Sequence, residues 1–105
     1  MKKTIAMKWV KALRSGKYAQ GKRLLRNGDG EFCCLGVLCD ISPYRKSYLR
    51  MKDAVGDAKF YLPVKVGNWA GTLNLCAENT LANMNDMGMS FEKIAKYIER
   101  KWKSL

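Results

Sequence analysis

Set at 100° per residue, the first stretch of the chain separates into two faces. Ile5, Ala6, Trp9, Val10, Ala12 and Leu13 fill one side, while Lys3, Lys8, Lys11 and Arg14 share the other. This spacing predicts an amphipathic helix over residues 4–14, capped by Thr4 and stopped by Ser15-Gly16. Helical periodicity is lost over residues 17–33. There the Asn27-Gly28-Asp29-Gly30 cluster offers residues suited to a tight turn, and two short strands are expected near 22–26 and 31–33. Residues 32–41 (FCCLGVLCDI) are apolar on all sides, so periodicity does not separate a buried helix from a buried strand. A short central helix is preferred, ended by Ser42-Pro43 because proline disfavours helical geometry in the residue before it.

Further along, residues 44–59 combine Tyr44, Arg45, Lys46, Tyr48, Arg50 and Lys52 with the breakers Asp53, Gly56 and Asp57, the pattern of a mobile loop. Over residues 59–69, Phe60, Leu62, Val64 and Val66 alternate, which predicts a second extended segment held to an edge by Pro63, followed by a loop over 67–72. At the C-terminus a short helix is expected over residues 80–87, closed by Gly88. Ser90 caps the next, whose Phe91, Ile94, Ala95, Ile98, Trp102 and Leu105 lie within an arc of about 100°. Glu92 with Lys96 and Glu99 with Lys103 stand at i,i+4 spacing on this helix. The whole reads as one small α+β domain over residues 1–105. Its parts are an N-terminal amphipathic helix, a short β-hairpin or small sheet, a buried Cys-rich helix and a C-terminal helical hairpin.

Charge changes this picture along the chain. Twenty Lys and Arg stand against nine Asp and Glu, a net charge of +11 in 105 residues, with no histidine. Residues 1–26 hold nine of the bases and none of the acids, so a basic N-terminal quarter joins a nearly neutral body over 27–105. The lack of histidine excludes His-based triads, HExxH or Cys2His2 zinc sites and an imidazole pH switch. The longest uninterrupted apolar run, residues 32–39, has eight residues against the roughly 20 of a membrane span. Lys8 and Lys11 interrupt what would be the apolar core of a signal peptide behind Met1-Lys2-Lys3. No membrane partner and no secretion are therefore expected, and Cys33, Cys34, Cys39 and Cys76 read as reduced thiols.

The chemistry-bearing motifs mostly have structural readings. Adjacent Cys33 and Cys34 followed by Cys39 do not match zinc-knuckle spacing, so no metal and no cofactor are expected. A thiolate nucleophile near the start of the central helix would lack a base, and its apolar neighbours would raise its pKa. No catalytic residue is assigned. The Asn27–Gly30 cluster lacks the Gly-Lys-Ser/Thr ending of a phosphate loop and the spaced acids of a calcium loop. The Gly88-x-Ser90-Phe91-x2-Ile94-Ala95 cadence resembles the first two helices of a helix-turn-helix domain, without a following recognition helix.

The basic quarter carries the functional expectation. A solubilising helix face mixes signs, whereas this one is free of acid across 26 residues. The candidate anion-binding residues are Lys8, Lys11, Arg14, Lys17, Lys22, Arg23 and Arg26, with Tyr18 and Gln20 placed to stack on or hydrogen-bond a base or nucleotide. An anionic partner is expected: nucleic acid or an acidic host protein, with a phosphorylated nucleotide signal as an alternative.

Three stretches carry a resemblance. They are Trp9-x3-Leu13-Arg14-Ser15-Gly16-x-Tyr18-x-Gln20-Gly21, the double-cysteine segment over residues 32–40, and Leu81-x3-Asn85-Asp86-x-Gly88-x-Ser90-Phe91-x2-Ile94-Ala95-x2-Ile98. Together they cover about half the chain and resemble a group of small proteins encoded by tailed bacteriophages. The resemblance implies a viral accessory protein acting in the host bacterial cytoplasm. Binding an anionic partner through the basic residues, such a protein is expected to interfere with or redirect a host process such as nucleic-acid metabolism or antiviral defence. It brings no catalytic residues with it.

Overall fold

The computed structural model describes residues 1–45, 62–71 and 74–105. Among these the protein has five α-helices: α1 (Lys3–Arg14), α2 (Cys34–Ile41), α3 (Val64–Ala70), α4 (Leu75–Asp86) and α5 (Phe91–Lys101), with a final 3-10 turn at Trp102–Ser104.

Helix α1 forms where its apolar stripe predicts, and Ile5, Ala6, Trp9, Val10 and Leu13 are buried. It starts at Lys3 with Lys2 as N-cap and no side-chain cap, so Thr4 does not have the capping role expected of it. Instead the entry is tied to distant chain: the Lys2 amide donates to Ala70 O at 2.8 Å, and the Met1 ammonium to Leu105 O at 3.3 Å. Helix α5 lies along α1 as its principal packing partner, and its Phe91, Ile94, Ala95 and Ile98 are buried. Helix α2 packs between α1 and α4, with Cys34 through Cys39 buried, and Trp9 Nε1 donates to Cys34 O at 2.9 Å. The central helix is thus helical because the core surrounds it on every side, which is what its unbroken apolarity requires.

The expected α+β architecture is not what the chain forms. Among the described residues it is helical, and extended pairing shrinks to two isolated bridges, Gln20 with Phe32 and Arg26 with Phe32. The turn over 27–30 does form, with Asn27 Oδ1 accepting from the amides of Asp29 and Glu31, but no strand leads into it. Residues 22–24 double back, with Leu24 N donating to Lys22 O at 2.8 Å and Arg23 at φ 72°, a left-handed geometry that interrupts extended chain. The detour carries Leu25 into the core at 1% exposure. Its carbonyl lies directly over Gly36 of α2, where a Cβ would sit 1.8 Å from Leu25 O. Only glycine permits this approach.

The second extended segment is corrected as well. Its first residues, and most of the loop expected over 44–59, lie outside the described residues. Residues 64–70, however, are the helix α3, and part of the loop expected over 67–72 belongs to it. Leu62, Val66 and Ala70 are buried at a spacing of four, while Val64 is 78% exposed, so the alternating residues do not share one buried face. The C-terminal helix pair forms as expected, with α4 beginning earlier, at an Asn74 cap whose side chain accepts from Ala77 N. Gly88 at φ 92° ends the connection and Ser90 caps α5.

Candidate functional site

The nine candidate anion-binding residues divide into two groups. Lys8 and Lys11 are exposed one turn apart on the outer face of α1, and Lys17, Lys22 and Arg23 are exposed on the following segment. The other four engage the protein itself. Arg14 reaches across to α5, pairing with both carboxylate oxygens of Glu92 at 3.2 Å and with Glu99 Oε1 at 2.5 Å. Its hydrogen bond to Glu99 raises the guanidinium pKa, and the same contact lowers that of Glu99. Tyr18 donates its hydroxyl to Asp40 Oδ2 at 2.7 Å and sets its ring edge-on to Phe32. Burial, reinforced by Asp40, pushes its pKa up to about 12. Arg26 lies over the Phe32 ring at 5.5 Å.

Gln20 is engaged at both ends of its amide. Its Nε2 donates to Asn85 Oδ1 at 3.0 Å and to Met89 O at 2.7 Å, while its Oε1 accepts from Phe91 N at 3.0 Å. Asn85, with no exposed surface, accepts from Cys34 N and donates to Gly21 O at 2.8 Å. The pair joins α2, α4, α5 and the 17–33 segment, and so ties the chain that carries Lys17, Lys22 and Arg23 to these helices.

Arg14 also changes the electrostatics of α5. The i,i+4 pairs expected of Glu92 with Lys96 and Glu99 with Lys103 are replaced, because both carboxylates turn to Arg14. The ammonium of Lys103 lies over the Trp102 ring. Residues 91–105 hold five bases and two acids, and both acids are taken up by α1, so the basic surface extends beyond the first 26 residues. Six of the seven side-chain carboxylates among the described residues, all but Asp29, accept a bond from within the chain. No lysine among the described residues takes part in an ion pair.

A feature the sequence pattern did not single out lies on α5. A groove of about 680 Å³ is lined by Met84, Met89 and Tyr97 together with Lys93, Lys96, Glu99 and Arg100. The only sequence signal for it is the recurrence of bases at 93, 96 and 100 around Tyr97, which a packing helix would also show on its solvent face.

The cysteines offer no reactive group in the core. Cys33, Cys34 and Cys39 are free and buried, whereas Cys76 is free and exposed. Burial pushes the Cys33 thiol up to about 11 and those of Cys34 and Cys39 up as well, so all three are protonated near neutrality. Among the described residues no group of three or more Cys, Asp or Glu stands together as a metal site, and no helix is long and apolar enough to cross a membrane.

A family model described as a domain of unknown function, DUF8296, matches residues 1–78. The chain belongs to the DUF8296 family. The DUF8296 match contains all nine candidate anion-binding residues and the buried cysteine helix, and it ends in the first turns of α4. Asn85, the α5 groove and the carboxylates that hold Arg14 lie beyond it. Nothing among the curated proteins or the solved structures matches the chain.

Proposed function

We propose that this DUF8296 protein is a non-enzymatic binder of nucleic acid, acting as a phage accessory protein on nucleic-acid metabolism or defence in the bacterial host. The observation that carries the reading is the asymmetry of charge use. Among the described residues six of the seven side-chain carboxylates are turned to partners within the chain, while Lys8, Lys11, Lys17 and Lys22 stand exposed and outside any ion pair. Leaving cations unneutralised raises the positive potential at the surface, and such a surface attracts a polyanion at long range. Lysine, a compact charge on a flexible stem, suits phosphate oxygens in varied positions, which is how sequence-independent backbone binding works. Arg14 stands apart from this set, because its guanidinium joins α1 to α5.

The protein used as bait in bacterial lysate, with and without nuclease, tests the reading. Capture of nucleic acid, and release of co-captured proteins after nuclease, is the expected result. Retention of one acidic protein after nuclease would instead identify docking on a protein by charge complementarity.

A further inference from the structure

The α5 groove combines two features that phosphate binding alone does not use. Half-buried Met84, Met89 and Tyr97 give it an apolar and aromatic lining, and its bases come as a stripe from one helix. Lys93 and Arg100 are seven residues apart, so the stripe runs about 10 Å, the length of roughly three stacked nucleotide steps. Glu99, the acid beside it, is held by Arg14. A duplex presents phosphates outward and has no use for an apolar lining. A mononucleotide site would draw cations from several sides around one phosphate, unlike a stripe along a helix. An unpaired strand offers both bases to stack and a row of phosphates to track.

We infer that the α5 groove binds single-stranded nucleic acid, with a base stacked on Tyr97 and successive phosphates along Lys93, Lys96 and Arg100. The inference rests on the reading of the protein as a nucleic-acid binder and specifies which form it prefers. It also gives the helical hairpin a role that neither packing nor the α1 lysines supply.

Fluorescence anisotropy with a labelled oligothymidylate of about 12 nucleotides, and with a duplex of the same length, tests it. Tyr97→Ala should weaken strand binding about tenfold and duplex binding less than about twofold, and Tyr97→Phe should restore it. Because Tyr97 also touches the core, the exposed pair Lys96→Gln with Arg100→Gln gives an independent test. It should lower the salt dependence of strand binding by about 1.4 in log-log slope. Unchanged strand affinity in both variants would overturn the inference, as would displacement of the strand by thymidine monophosphate at equal concentration. If the wild-type protein binds neither strand nor duplex, the broader reading fails and takes this one with it.

Discussion

The side chain of Gln20 donates to Asn85 Oδ1 at 3.0 Å across 65 residues of sequence, and this pair of a half-buried and a fully buried amide joins the segment that carries Lys17, Lys22 and Arg23 to the helical body. Each amide satisfies several main-chain groups, among them Cys34 N, Gly21 O, Met89 O and Phe91 N. A buried polar pair of this kind is costly to half-remove, because the groups it leaves behind stay desolvated.

Asn85→Ala should therefore destabilise the protein by about 3 kcal/mol in urea unfolding, since it leaves the Cys34 amide and the Gly21 carbonyl without partners in the interior. Gln20→Ala should cost about 1–2 kcal/mol. The double variant should cost less than the sum by more than about 0.5 kcal/mol. Strict additivity would show that the two amides act separately.

The close approach of Leu25 to Gly36 makes a sharper stability test. Gly36→Ala places a Cβ against the Leu25 carbonyl and should cost more than about 2 kcal/mol, because a backbone and not a flexible side chain must move. At Gly28, where a Cβ meets nothing within 4 Å, the same substitution should change stability by less than about 0.5 kcal/mol. Equal costs at the two sites would contradict the packing of Leu25 over α2.

These two long-range relationships also mark the limit of what the sequence pattern conveys. The stripes of α1 and α5, the stops at Gly16 and Gly88 and the cap at Ser90 are local, and they form where spacing and turn chemistry place them. The strands expected over 22–33 do not form because the chain doubles back at residues 22–24 and carries Leu25 into the core over Gly36, an approach invisible to local periodicity. Leu62, Val64 and Val66 imitate a strand, yet residues 64–70 are helical, with Val66 and Ala70 buried one turn apart and Val64 exposed. For the site, the exposed lysines of α1 are legible as an unmixed charge run. The internal partners of Arg14, Tyr18 and Gln20 are not, because Glu92, Asp40 and Asn85 are 78, 22 and 65 residues away.

Alkaline pH should destabilise the fold. In the native state the Cys33 thiol is pushed from its ordinary 9.0 to about 11 by burial, and the Tyr18 hydroxyl from 10.0 to about 12 by burial and its bond to Asp40. The unfolded chain loses these protons first, so stability is complete below about pH 9 and falls as pH rises through 11. Each proton contributes a slope approaching about 1.4 kcal/mol per pH unit. Urea midpoints that stay level from pH 8 to 11 would contradict the burial of Cys33. At pH 8, a disulfide reagent should modify one thiol at once, Cys76, and the other three only on unfolding.

Arg14 and Lys11 lie on the same helix, but only Lys11 is without an ion-pair partner. Lys11→Gln should weaken duplex binding in an electrophoretic mobility titration more than Arg14→Gln does, since the Arg14 guanidinium already holds Glu92 and Glu99. A larger effect of Arg14→Gln would mean that Arg14 leaves α5 to meet the partner.

The central claim is that exposed lysines outside the ion-pair network meet phosphate. Its most direct test is the salt dependence of binding to a mixed-sequence duplex, with log affinity plotted against log salt concentration. The expected result is a steep negative slope that becomes shallower by about 1.8 in the Lys8→Gln, Lys11→Gln variant, at about 0.9 for each phosphate left without its lysine, with affinity reduced alike for every sequence. A slope near zero, or one that both substitutions leave unchanged, would contradict it.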